Sequence, residues 1–192
     1  VLQSVGVEKA CVFGVSMGGM IAQYLAIDFP KFVEKLVLAV TLARPNDTVK
    51  ERCETWIKSA EDKDYEAIMK DCALYSYSDE YLRKNKMMLN VISKIGSPKS
   101  FDRFITFSKA CTTHNAYEKL EKITCPTLVI GGKQDKIVTY EASEEIASKI
   151  PNAKLKTYEK FGHAAYEEGK DFNKTVYEFC MGNETLLEKI DK

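Results

Sequence analysis

Three residues of this chain could together break an acyl bond: Ser16, Asp135 and His163. Ser16 lies in Gly14-Val15-Ser16-Met17-Gly18-Gly19, a G-x-S-x-G string. An apolar run, Ala10 to Val15, precedes it, and a helical pattern from Met20 to Phe29 follows it and stops at Pro30. A strand-to-helix turn this sharp, a nucleophile elbow, holds the serine in strained backbone angles and lifts its hydroxyl clear of the strand's carboxyl end. Glycine is expected at positions 14 and 18 because side chains there would collide with neighbouring backbone. The helix that starts at Met17 points its free N–H groups and its positive end at the same place. The Met17 N–H is therefore the expected donor to an oxyanion forming on a substrate carbonyl.

A serine hydroxyl attacks a carbonyl only when a base takes its proton. The chain has two histidines, His114 and His163. His163 follows the last strand-like stretch and so falls at a carboxyl end of the sheet, with Gly162 before it allowing a close approach. His114 sits in a charged stretch beside Thr112, Thr113 and Asn115 and reads as structural. The base needs an acid to fix its tautomer and stabilise the imidazolium. Asp135 follows the strand-like Thr127–Ile130 through Gly131-Gly132-Lys133-Gln134. Alone, Asp135 could be a turn-capping aspartate and His163 a surface residue. Together with Ser16 they stand at three strand ends in the chain order Ser…Asp…His, which belongs to one hydrolase architecture.

The elements that must position these residues are legible as an α/β pattern. Strands are expected near 10–15, 35–40, 126–131 and 153–158, the first three apolar runs and the last an alternating one, in a parallel sheet with helices on both faces. Residues 45–120 differ. They are charged, and apolar residues recur at helical spacing in four stripes with no strand pattern between them. This is read as a helical cap inserted into a core made of 1–44 and 121–192. A closing helix is expected from Ala164 to about Cys180, then a short amphipathic or frayed tail from Gly182 to Lys192. The cap's Trp56, Met69, Phe104 and Phe107 are candidates to line an acyl pocket, packing within the cap being the plainer role for each.

Composition narrows the function classes. Lys plus Arg and Asp plus Glu both number 28, so the net charge is zero. A nucleic-acid binder normally carries a basic surplus. No apolar run is long enough for a transmembrane helix. The six cysteines form no C-x-x-C pairs and mostly lie in apolar stretches, so they read as buried free thiols in a reducing compartment, the cytoplasm. Two histidines are too few for a histidine-rich metal site, and no metal or cofactor is expected.

The chain resembles the α/β-hydrolase superfamily over nearly its whole length. GVSMGGMIAQYLAIDFP looks like the serine turn and its helix, CPTLVIGGKQDKIV like the strand and turn carrying the acid, and FGHAAYEEGKDFNKTVYEFC like the histidine loop and last helix, with Glu167 four residues past His163. The serine turn is most similar to enol-lactonase-like and carboxylesterase-like members. The resemblance implies a Ser16 nucleophile, a His163 base, an Asp135 acid and a helical cap over 45–120. A serine at position 16, where haloalkane dehalogenases and epoxide hydrolases carry aspartate, argues against those branches.

The family normally places further strands, and a loop supplying a second oxyanion N–H, ahead of its serine. Here the serine is residue 16, so the chain is expected to correspond to the C-terminal portion of such a fold, N-terminally truncated. The strand Cys11–Val15 would then be an open edge, inviting self-association or an N-terminal partner segment. One missing oxyanion donor would lower the rate about 100- to 1,000-fold. The expected activity is hydrolysis of a small-molecule carboxylic ester, thioester or lactone through an acyl-serine. A non-catalytic interaction module, or a carbon–carbon bond hydrolase or acyltransferase with the same triad, are the alternatives.

Overall fold

The computed structural model describes residues 3–183. Four strands form one all-parallel sheet in the spatial order β1-β2-β3-β4: β1 Ala10–Val15, β2 Val33–Ala39, β3 Thr127–Gly132 and β4 Ala153–Tyr158. They coincide with the expected stretches to within two residues. Leu36, Val37, Leu38 and Ala39 of β2 are fully buried, as a strand covered on both faces requires.

Because side chains alternate across a strand, the two faces build two cores. On one face Leu36, Leu38 and Val129 pack with Ala22, Ala26 and Ile27 of α1 (Met17–Asp28) and with Ile146 of α6 (Tyr140–Lys149). On the other face Val37, Ala39, Leu128 and Ile130 pack with Phe172 and Phe179 of α8 (Phe172–Met181). The chain thus shows the flanked parallel sheet of an α/β-hydrolase.

Between β2 and β3 stand four helices: α2 Asp47–Glu61, α3 Tyr65–Ser76, α4 Asp79–Ile92 and α5 Asp102–Thr113. Asn46, Asp64 and Ser78 cap α2, α3 and α4 by accepting the N–H of the residue three further on. These are the four apolar stripes of the sequence, one helix each.

Two expectations need correction. The closing helix is two, α7 Ala165–Glu168 and α8, separated by Gly169, Lys170 and Asp171. Gly169 lies against Tyr158, where a Cβ would come within 3.0 Å of the ring and 2.8 Å of the Ala165 carbonyl. The second concerns the thiols. Cys11 of β1 and Cys180 of α8 form a disulfide, their Cα atoms 5.7 Å apart. Strand and helix face each other across the second core, which a sequence separation of 169 residues conceals. Cys53, Cys72, Cys111 and Cys125 are free. The stretch expected as a tail, Gly182 to Lys192, lies largely outside the described residues. Among the described residues no helix is long and apolar enough to cross a membrane.

Candidate active site

Ser16 stands between β1 and α1 at φ 50° and ψ −121°, a conformation that costs an L-residue about 1–3 kcal/mol. Neighbouring groups hold it there. Its N–H donates to Ala39 O at 2.9 Å, and its carbonyl accepts the Thr41 hydroxyl at 2.7 Å. Gly14 is needed for the turn, since a Cβ there would come within 2.5 Å of the Gly18 carbonyl. The expectation for position 18 is corrected: a Cβ on Gly18 meets nothing within 4 Å. The crowded partner is Gly19, whose Cβ would meet the Thr41 side chain at 2.7 Å. Helix α1 therefore approaches the segment just past β2 at Gly19, and Thr41 contacts both Ser16 and Gly19.

Asp135 and His163 come from loops after β3 and β4 that touch backbone to backbone. Lys133 N–H donates to Tyr158 O and Gln134 N–H to Phe161 O, both at 3.0 Å. Gly132 makes this contact possible: a Cβ there would sit 2.3 Å from the Gly162 carbonyl. The Asp135 side chain is almost wholly buried. Its Oδ1 accepts the N–H groups of Ile137 at 2.8 Å and Val138 at 3.0 Å. Its Oδ2 then faces His163 Nδ1 at 2.9 Å. With Nδ1–H committed to the carboxylate, His163 Nε2 is left as an acceptor, 2.9 Å from Ser16 Oγ. Ser16, His163 and Asp135 thus form one continuous hydrogen-bonded line at the carboxyl end of the sheet. Such a line can take the serine proton as the oxygen attacks.

His114 stands apart. It is buried, its Nε2 donates to Gln23 Oε1 at 3.3 Å, and its ring meets Tyr24 edge-on. Burial lowers its pKa to about 4. It joins the end of α5 to the nucleophile helix.

Of the four residues expected to line an acyl pocket, one is near the line. Trp56 packs against the cluster of Met20, Leu42, Val49 and Val138 that also receives Met17, and its indole N–H donates to Asp71 Oδ2 at 2.7 Å. Met69 instead faces a groove between α3 and α4 with Leu74 and Leu89. Phe104 and Phe107 line another groove with Pro98 and Arg103, where Phe107 is 45% exposed. The structure brings neither groove to Ser16. The same cluster contains two residues the sequence reading passed over, Cys53 and Cys111. The neighbouring Cys111 thiol and burial push the Cys53 thiol up. Thr41 was also missed, though it is the polar residue of the run Leu36 to Ala43.

A four-stranded parallel sheet with this Ser–His–Asp line and an inserted helical layer defines the α/β-hydrolase class. Within it, the model of the family described as "Serine aminopeptidase, S33" matches residues 2–170, and the chain belongs to that family. It is 25% identical over 189 residues to a 2-hydroxy-6-oxononadienedioate/2-hydroxy-6-oxononatrienedioate hydrolase of Pseudomonas sp, covering 93% of this chain and 65% of that protein. Among solved structures it is similar to MGS-M2, an alpha/beta hydrolase enzyme from a Medee basin deep-sea metagenome library. There the TM-score is 0.83 at 27% identity, over 93% of this chain and 67% of that one. The enol-lactonase of Burkholderia xenovorans LB400 shares the fold, with TM-score 0.81 at 21% identity over 93% and 68%. The chain spans about two thirds of the length of each of these relatives. It is an α/β-hydrolase of the serine-hydrolase type.

Proposed function

We propose that the chain hydrolyses a carboxylic ester, thioester or lactone through an acyl-serine intermediate, with Ser16 as nucleophile, His163 as base and Asp135 as acid. The observation that carries this reading is the 2.9 Å approach of His163 Nε2 to Ser16 Oγ, with Asp135 fixing the opposite nitrogen. Ser16 Oγ bonds to the substrate carbonyl carbon as its proton passes to Nε2. The oxyanion is met by the Met17 N–H at the start of α1. His163 then gives the proton to the leaving oxygen or sulfur, and the acyl-enzyme forms. Water, deprotonated by His163, releases the acid and frees Ser16. In this reading 45–120 is a cap over the site, and Trp56 borders the acyl group.

A second reading is cleavage of a carbon–carbon bond by the same residues, with a keto-acid substrate such as the one in the Pseudomonas relative's name. The outer edge of β1 has no partner strand among the described residues, and Phe13 is 45% exposed on that strand. We assign this edge to pairing with an N-terminal segment or a second copy of the chain, which sedimentation tests. The cytoplasmic reading rests on the four free cysteines, with the Cys11–Cys180 bridge against it; counting thiols in freshly lysed cells decides.

The test of the activity is hydrolysis of a small aryl ester by the chain and by Ser16→Ala. The serine variant should lose at least about 10,000-fold in kcat. An alanine variant that turns over ester as fast as the parent would sink the proposal. Turnover of a vinylogous 1,5-diketone with none of esters would favour the second reading.

A further inference from the structure

The segment that carries His163 is held between two jaws. Below it is the Asp135 loop, where Gly162 lies so close that a Cβ would come within 2.8 Å of Gln134 O. Above it is the turn between α3 and α4. The Ala164 N–H donates to Ser76 O at 2.8 Å. Glu168, at the end of α7, accepts two hydrogen bonds from Ser78: the backbone N–H on Oε1 at 3.0 Å and the hydroxyl on Oε2 at 2.5 Å. Beside them the Tyr77 hydroxyl donates to Glu167 Oε2 at 2.6 Å. Burial and that carboxylate push the Tyr77 phenol up, so it stays a donor.

Ser78 is also the N-cap of α4, its Oγ accepting the Tyr81 N–H at 3.2 Å. The Glu168 carboxylate therefore sits at a helix N-terminus, where negative charge is favoured and hydrogen bonds are charge-assisted. These bonds bind α4, a helix with no buried residue of its own, to the few residues that follow His163. A link needed only to hold α4 in place could have been made anywhere on the core. This one is made within five residues of the base.

We propose that Glu168 is a positioning residue for His163, fixing the α3–α4 turn onto the base-bearing segment so that Nε2 stays within proton-transfer distance of Ser16 Oγ. The proposal rests on the serine-hydrolase reading above. With Glu168 removed, only the Ala164–Ser76 and Tyr77–Glu167 bonds tie the α3–α4 turn to the His163 segment, and a displacement of about 1 Å at a reacting group costs on the order of 100-fold.

The test uses the whole chain and a fluorophosphonate probe. Ser16 Oγ forms a bond to phosphorus, fluoride leaves, and the serine proton passes to His163. Both the rate constant and the final extent of labelling are read. Glu168→Ala should label to full extent with a rate constant about 10- to 100-fold lower. Glu168→Gln, which keeps an acceptor for the Ser78 N–H, should recover to within about threefold, and Ser78→Ala, which loses only the hydroxyl, should fall between them. A merely structural role would lower the extent with the folded fraction and leave the rate constant unchanged, and that result overturns the proposal. If Glu168→Ala does not fold, Ser78→Ala decides: a rate constant equal to the parent's overturns the proposal. Ser16→Ala separates the two readings. Labelling of that variant at the parent's rate defeats the serine-hydrolase reading itself. An unlabelled Ser16→Ala beside a Glu168→Ala of unchanged rate defeats only the positioning role.

Discussion

The sheet and the helical layer above it solve different problems. In the sheet, Leu36 to Ala39 are fully buried, and the loops that leave its carboxyl end touch backbone to backbone through Gly132 and Gly162. In the helical layer, α4 buries none of its residues and shows Met87 at 83% exposure. That layer packs on the core through Val49 and Cys53 of α2, and its outer part is held by individual polar ties such as Ser78 to Glu168. Groups that must keep a proton within 3 Å of an oxygen stand on the rigid part. The outer helices carry none of these groups and can be held more loosely.

The comparison breaks first at its tightest point. Gly132→Ala puts a methyl 2.3 Å from the Gly162 carbonyl, and no side-chain rotation relieves an overlap with backbone. The Asp135 and His163 loops must part. The expected loss is about 3 kcal/mol in urea unfolding, in the range for overpacked cores, with ester hydrolysis falling further than the folded fraction. Gly18→Ala is the control inside the serine motif. Its Cβ meets open space, and alanine in a helix is worth up to about 1 kcal/mol over glycine, so stability should hold or rise. If the two alanines cost the same, the claim that glycine serves close approach at one position and not at the other is wrong.

This pair also shows where the sequence was readable. The inner strands were legible because burial on both faces leaves an unbroken apolar run such as Leu36 to Val40, and β4 because Ala153 to Tyr158 alternates. The line Ser16, His163, Asp135 was legible because each stands past the carboxyl end of a strand readable in this way. Which glycine is crowded was not, since that depends on Thr41, which packs against Gly19 from the end of a neighbouring strand. The same limit applied to the pocket. Phe104 and Phe107, three apart on α5, share a face, but periodicity does not say whether that face meets Ser16 or a separate groove. Nor could it show that Gly169 ends α7, because Phe172, Val176 and Phe179 continue a helical phase past it.

A smaller effect is expected where the layer meets the nucleophile helix. Unfolded His114 takes up a proton near 6.5; folded, it does so only near pH 4. Between those values the unfolded chain binds more protons. The contribution of this group is therefore complete above pH 6.5 and lost as pH falls towards 4. From pH 7.5 to 5.0 it should remove about 2 kcal/mol. His114→Gln should be less stable at neutral pH but lose correspondingly less on acidification. Equal losses in the two proteins would show that His114 is hydrated and not part of the joint between α5 and α1.

The smallest effect tests the outer face of the layer. Met87 is 83% exposed and Ile95 59%, so neither has much apolar surface to return to water. Met87→Ser and Ile95→Ser should each change unfolding free energy by no more than about 0.5 kcal/mol, the ordinary range for surface positions. Leu38→Ala, from a fully buried position, should cost about 2–5 kcal/mol in the same measurement. The contrast should reappear in the labelling rate of Ser16, which neither surface change should alter. A serine at position 87 that destabilised the chain by more than about 1 kcal/mol would mean that this face of α4 is packed in solution against something, and the loosely tied layer would have to be redrawn as one half of an interface.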